Sequence, residues 1–356
     1  AYQVKILFLC KRRPQGKDLV TTPYGRFFHL PRILAERGHR VSIALLDYKK
    51  SQSIEFDSHG MYWSSSPLRA YLANVEKQTA DLQPDWVVGF SDTYFGILAV
   101  RLARRHGLRS CIDAYDNYES YMPWAKPLHW LWRRALRRVD LITAAGPGLA
   151  SKMAGSESTE RAAVIPMAAD PTGFEPRDQM ACRELLQVPA DRPLVGYCGS
   201  MHRSRGVEAL FDAIPLVLAE RPEVRFIHSG RTWSDVPLPK TITSLGFIDD
   251  EKVPILLNSM DVLVVTNRAS SFGSHSYPVK LYEAMSCNVP VVATRTLATE
   301  WILASHPEYL VEPADAEGLS AAVLRALSQP DVDYRNVPTW DSSCNIFERA
   351  LLSKSL

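Results

Sequence analysis

The sequence predicts an α/β protein of two doubly wound domains. Three observations predict it: a length of 356 residues, where about 150 per domain is usual; short apolar runs alternating with amphipathic stretches; and one gap in that alternation, after which it restarts. Gln3–Cys10 reads as a buried strand, followed by a helix over Tyr24–Arg37 with Phe27, Phe28, Leu30, Ile33 and Leu34 on its apolar side. Gly38 stops that helix and Arg40–Leu46 is the next strand. Trp86–Phe90, the helix Gly96–His106 ended by Gly107, Arg109–Asp113, the helix Leu128–Arg138, Leu141–Ala145 and Ala163–Pro166 continue the series. Strands alternating with helices imply a parallel sheet. The pattern fades over Asp170–Asp191, so residues 171–191 are expected to be a linker after an N-terminal domain of residues 1–170.

The alternation resumes with Leu194–Cys198, helix Val207–Glu220, Val224–His228, Ile242–Leu245, helix Asp250–Asn258, Val262–Thr266, helix Pro278–Ser286, Pro290–Thr294, Tyr309–Val311 and helix Ala316–Leu327. This is the second Rossmann-like domain, residues 192–335, and the halves show no self-similarity. A last helix, about Asp341–Ser353 within residues 336–356, is expected to pack back on the N-terminal domain.

A hydrophobic fraction of 46% with 22% charged residues excludes a disordered or fibrous chain. The longest apolar runs, Val4–Cys10 and Val262–Val265, fall far short of the ~18 residues a bilayer requires, and residues 3–10 lack a secretory leader's pattern, so a cytoplasmic location is expected. The cysteines (Cys10, Cys111, Cys182, Cys198, Cys287, Cys344) contain no CxxC pair and read as reduced, packed thiols. The net charge is +2, but residues 1–170 hold 24 Lys+Arg against 16 Asp+Glu, a balance of +8, leaving 17 against 23 in the remainder. No nucleic-acid partner is expected.

Neither half carries the GxGxxG of a nicotinamide enzyme or the GxxxxGK[ST] of an NTPase. After Cys198 comes Gly199-Ser200-Met-His-Arg203-Ser-Arg205-Gly206, where a strand end, two arginines and a helix start gather cations and free amides suited to a diphosphate; two arginines on a solvated loop is the alternative. Further on, Lys280 and Glu283 share a helical face just after Pro278, so a carboxylate for ribose hydroxyls and an ammonium for phosphate stand side by side; alone, the pair also fits a surface ion pair.

In order and spacing, Asp261-Val-Leu-Val-Val-Thr, Pro278-Val-Lys-Leu-Tyr-Glu283-Ala-Met and Val289-Pro-Val-Val-Ala resemble the donor site of glycosyltransferase family 4, retaining enzymes of the GT-B fold. The resemblance runs over most of the chain. It implies two Rossmann-like domains facing across a cleft, Glu283 on the ribose of a UDP- or GDP-linked sugar, and Arg205 and Arg203 as diphosphate clamps. It also puts the base against Gly246-Phe247-Ile248, with Gly199, Ser200, His275, Ser276 and Tyr277 lining the donor site. His275 stands where the family's Glu-x7-Glu signature has its first glutamate. Val164–Asp170 with Phe174 is similar to the family's crossover, and Gly38-His-Arg-Val to its first helix–strand junction.

On the acceptor side the resemblance suggests Asp116, with Asp113 as its deputy, beside Gly16, Tyr24 and Asp92; capping by the Asp/Asn cluster is the equal alternative for Asp116. The implied activity is metal-independent transfer, with Arg205, Lys280 and Asp116 as catalytic residues and no cofactor, to a glycan, lipid-linked or small-molecule acceptor. A sugar-nucleotide epimerase of the same fold and a non-catalytic binding subunit are the other readings. Asp331-Val-Asp333 reads as a solvated turn rather than a metal motif. Finally, Tyr121–Arg138 combines Trp124, Trp130 and Trp132 with Lys126, Arg133, Arg134, Arg137 and Arg138, the composition of a segment at an anionic membrane surface. The alternative has Trp130, Leu131 and Leu136 packed inward beneath a solvated arginine face.

Overall fold

The computed structural model describes residues 2–49, 51–155, 159–268, 270 and 273–354. It divides into two compact units, Ala1–Met167 with Pro338–Leu356, and Ala168–Val337.

In the first unit the order is β1 (Lys5–Lys11), α1 (Arg26–Glu36), β2 (Arg40–Asp47), β3 (Ile54–Ser58), β4 (Met61–Pro67), α2 (Leu68–Leu82), β5 (Trp86–Gly89), α3 (Thr93–His106), β6 (Arg109–Ala114), α4 (Lys126–Leu136), β7 (Leu141–Ala144), α5 (Pro147–Ala154) and β8 (Ala162–Val164). Among the described residues these strands form one sheet in the order β3-β4-β2-β1-β5-β6-β7-β8, parallel except for the edge pair β3–β4. One face buries Leu7, Leu9 and Val87 against Tyr71, Val75, Phe95 and Ala99 of α2 and α3. On the other, Phe8 stacks on Phe90 at 4.9 Å and Phe27 of α1 closes on Phe90 at the same distance. Both faces are thus covered, as a parallel sheet requires.

The second unit runs α6 (Gln179–Leu186), β9 (Leu194–Cys198), α7 (Val207–Glu220), β10 (Arg225–Ser229), β11 (Ile242–Ser244), α8 (Val253–Ser259), β12 (Val262–Val265), α9 (Val279–Ser286), β13 (Val291–Thr294), α10 (Leu297–Ile302), β14 (Leu310–Val311) and α11 (Ala316–Ser328). Its parallel sheet has the order β11-β10-β9-β12-β13-β14. The last helix, α12 (Trp340–Ser353), belongs to the first unit. There Phe347 packs edge-on to Phe8, and Glu348 accepts from Arg37 and pairs with His39 at 2.7 Å.

Three departures from the sequence reading have physical causes. Residues 47–85, left without elements, hold β3, β4 and α2; β4 is missed because its run Ser64-Ser65-Ser66 is polar yet buried. The expected linker contains α6, capped by Asp178 accepting from Ala181 N at 2.7 Å. Arg183 ties that helix down: it donates to Ser259 O and ion-pairs with Asp261 at 2.7 Å, so the segment is part of the second unit's body. In α4, Leu136 packs inward, but Trp130 and Leu131 are exposed and Trp132 is the buried tryptophan.

Candidate active site

In an open doubly wound sheet, ligands bind beyond the carboxyl ends of the strands where the strand order reverses. In the second unit β10 lies on one side of β9 and β12 on the other, so the reversal falls between β9 and β12. The chain leaves β9 at Cys198 into Gly199, whose φ of +146° no other residue type adopts readily. Gly230, at the end of β10, comes so close that a Cβ there would sit 2.2 Å from the Gly199 carbonyl oxygen. His228, fully buried, holds that same oxygen from Nε2 at 2.8 Å. Burial pushes the His228 pKa below its usual value, against the opposing pull of the Gly199 carbonyl, so the ring is neutral and donates from Nε2.

Beyond this turn, Arg203–Arg205 forms one 3-10 turn that Gly206 links to the N-terminus of α7. Arg203 is exposed and reaches Asp235 O, whereas Arg205 is partly buried and lies within electrostatic range of Tyr197. Ser200 accepts from the Tyr197 hydroxyl at 3.4 Å. Gly206 leaves room for the backbone just past β12, since a Cβ would meet Asn267 O at 2.9 Å. Asn267 N in turn donates to Thr294 Oγ1 at the end of β13.

Pro278 caps α9, whose first two turns present Lys280 and Glu283 on one face, with Nζ 2.7 Å from Oε2. Burial by itself would lower the Lys280 pKa, but the Glu283 carboxylate beside it leaves it above the ordinary ammonium value. The cation is therefore fixed, next to the thiol that ends β9. Burial raises the Cys198 pKa, so that thiol stays protonated. His275 and Ser276 stand partly buried at the turn before α9, and Tyr277 is buried with its ring edge-on to Trp301 at 6.1 Å. Of the serine- and glycine-rich loop preceding them, Ala269, Ser271 and Phe272 lie outside the described residues. Gly246 O accepts from Gly230 N and Ser229 Oγ, which sets the 246–248 turn beside the Gly199 turn; Phe247 there is 75% exposed, while Ile248 packs on the core. Arg203, Arg205, Lys280 and Glu283 thus come from residues up to 80 apart to one end of one sheet.

The first unit reverses its strand order between β1 and β5. Lys11, ending β1, ion-pairs at 3.0 Å with Asp92, which caps α3 by accepting from Tyr94 N. In the loop after β1, Gly16 has a φ of +82° and the Tyr24 hydroxyl accepts from Gln15 N. Asp113 has another occupation. Its carboxylate accepts from Arg26 Nε and Nη2 at 2.8 and 2.7 Å and from Thr143 Oγ1 at 2.6 Å, with both charged side chains about 1% exposed. Such a pair is spent on joining α1 to the sheet. Asp116 is buried too, accepting from Asn117 N and the Tyr121 hydroxyl. Among the described residues no group of three or more His, Cys, Asp or Glu side chains is placed to hold a metal ion.

His228, Gly230, Cys198 and Asn267 are absent from the sequence reading of the site. His228 carries no motif, and only its position at the end of a strand flanking the reversal could have drawn attention to it.

Comparison with known proteins agrees with this geometry. The family model for glycosyl transferases group 1 matches residues 192–329, and that for the glycosyl transferase 4-like domain matches residues 26–168. A glycosyltransferase named for teichuronic acid biosynthesis, TuaC of Bacillus subtilis strain 168, is 25% identical over 62% of this chain and 53% of its own. The phosphatidyl-myo-inositol mannosyltransferase of Propionibacterium freudenreichii is 35% identical over 39% of this chain and 36% of its own. The chain therefore matches about half or less of these relatives' length. Among solved structures, Anabaena HepE in complex with UDP superposes with a TM-score of 0.71 at 16% identity, covering 99% of this chain and all of that one. Sucrose-phosphate synthase from Thermosynechococcus elongatus gives 0.70 at 18%, over 98% and 94%. Both sheets with their strand reversals, the lysine–glutamate helix and the two matched models lead to one assignment: the chain belongs to glycosyltransferase family 4 and has the GT-B fold.

Proposed function

We propose that this protein transfers a sugar from a UDP- or GDP-linked donor to an acceptor hydroxyl, with retention at the anomeric carbon and without a metal ion. The observation that carries the reading is the Lys280–Glu283 pair on α9, set beside the Gly199 turn and the Arg203–Arg205 turn at the β9/β12 reversal. Glu283 takes the ribose hydroxyls and Phe247 lies along the base. In the reaction the bond from the anomeric carbon to the diphosphate oxygen breaks, the acceptor oxygen bonds to that carbon on the same face, and the acceptor proton leaves with the departing phosphate. Negative charge grows on that phosphate as the sugar becomes cation-like. Arg205, Lys280, Arg203 and the amides at the α7 N-terminus supply fixed positive charge there, the task a divalent cation performs in other transferases. On the first unit, Asp116 is the polar group offered to the acceptor.

A lipid-linked acceptor suits the first unit best. Trp124 and Trp130 of the α4 segment are exposed beside Arg133, Arg134, Arg137 and Arg138, a face fitted to peripheral attachment at an anionic membrane. No helix among the described residues is long and apolar enough to cross a membrane.

The test is a donor screen read by proton NMR, with and without EDTA. Consumption of a UDP- or GDP-sugar to an axial- or equatorial-linked product of the donor's own anomeric configuration is expected, unchanged by EDTA. An inverted product, abolition by EDTA, or epimerisation of the donor with no acceptor present would overturn the reading.

A further inference from the structure

A groove of about 430 Å³ runs between α4 and α5 in the first unit. Its lining combines the aliphatic Leu136, Leu149 and Met153 with the cations Arg137, Lys152 and Arg161, against the carboxylates Asp116 and Glu119. Arg161 is fixed, its Nη1 donating to Leu136 O and Val139 O at 3.3 and 3.1 Å. Glu119 is itself paired, with Arg133 at 2.7 Å. Arg137 and Lys152 are both exposed, and neither has a carboxylate within ion-pair distance among the described residues.

The groove opens beside a particular helix face. Trp130, Arg133, Arg134 and Arg137 are spaced i, i+3, i+4 and i+7, one stripe of α4. Trp130 is 56% exposed with the Arg134 guanidinium 5.3 Å over its ring, and Leu131 next to it is exposed as well. The helix cannot roll to hide these rings. Trp132 on its opposite side is locked against α3, in the space where a Cβ on Gly96 would come within 2.6 Å of it. An exposed tryptophan and leucine flanked by cations sit at the boundary between headgroups and acyl chains. Arg137 belongs both to this stripe and to the lining of the groove, so the two features are continuous.

We propose that the α4–α5 groove is a binding site for the phosphate headgroup of an anionic phospholipid, the phosphate held by Arg137, Lys152 and Arg161 and the start of the acyl chains lying along Leu149 and Met153. Only the source of the ligand rests on the membrane reading above; the groove chemistry stands on its own residues.

The experiment compares two double variants of equal charge, Arg137→Gln with Lys152→Gln inside the groove and Arg134→Gln with Arg138→Gln outside it, plus Ala154→Phe, which fills the groove without changing charge. Each is titrated calorimetrically with monomeric short-chain phosphatidylglycerol and, separately, co-sedimented with phosphatidylglycerol-containing and pure phosphatidylcholine vesicles, after a thermal melt has shown it folded. A cation near an anionic surface contributes about fivefold to vesicle binding, so both pairs weaken sedimentation. Monomeric lipid separates them: the groove pair and Ala154→Phe lose about tenfold or more, and the outer pair less than about twofold. Equal losses for the two pairs with monomeric lipid, or none with Ala154→Phe, overturn the groove while leaving membrane attachment intact. Binding of monomeric lipid by a protein that ignores anionic vesicles overturns the membrane reading and keeps the groove. Equally tight binding of glycerol phosphate overturns the lipid as its source.

Discussion

Replacing Glu283 by Ala separates what this carboxylate does for the fold from what it does for a ligand. Within the protein its carboxylate pairs with Lys280, at 2.7 Å, whose side chain is 33% exposed. Water screens Lys280, a third exposed, but Glu283 is largely buried, so loss of the pair costs about 1–3 kcal/mol, and the variant should melt within several degrees of wild type. Toward a nucleotide sugar the balance differs. Ribose hydroxyls donating to a largely buried carboxylate make charged hydrogen bonds of about 1.5–3 kcal/mol each, so losing one costs about ten- to 150-fold in donor affinity and losing two costs about 150-fold or more. Glu283→Gln keeps one carbonyl acceptor and should fall between the two. The assay is calorimetric titration with the nucleoside diphosphate, so no turnover is needed. A dissociation constant unchanged in the alanine variant would refute the ribose role. A large fall in melting temperature with unchanged affinity would instead make Glu283 a structural partner of Lys280.

Two further outcomes follow from the same structure. Gly230→Ala places a Cβ 2.2 Å from Gly199 O, where ordinary contact begins near 3.4 Å; the Gly199 turn must shift by about 1 Å, costing about 1–3 kcal/mol and weakening the nucleoside diphosphate in the same titration, and wild-type affinity would refute the role of that turn. Glu348 on α12 is partly desolvated, which opposes ionisation, but His39 and Arg37 more than offset this and hold its pKa below the usual 4.5. Its stabilisation is therefore complete above the unfolded value and lost as pH falls through the folded one; melting curves from neutral to acid pH should fall less steeply for Glu348→Gln, and identical slopes would refute the contribution.

Much of this molecule is legible in its sequence because burial on both faces of a parallel strand leaves an unbroken apolar run, as in Ile6–Cys10 and Val262–Val264. The elements that escape are those whose burial is paid for by hydrogen bonds instead of apolar area. Ser64, Ser65 and Ser66 in β4 are all buried, with Ser64 accepting from Asn74 and Ser65 from Arg12. The helix α6 escapes for a related reason: eight residues long, it buries Cys182 and Arg183 and depends on Asp261, 78 residues away.

The same distinction explains how the site residues divided. Lys280 and Glu283 are three apart on one helix, so their proximity is a property of the local backbone and can be read without the fold. Asp113 looks equally free in the sequence, yet Arg26, 87 residues earlier, occupies both its oxygens. His228 shows the converse, since an unremarkable strand residue becomes the support of Gly199 only when β10 is laid beside β9 with His228 opposite Tyr197. Whether a charged or polar side chain remains available to a ligand is thus decided by its long-range partner. Sequence patterns reveal such partners for neighbours on one helix turn, and the sheet register reveals them for the rest.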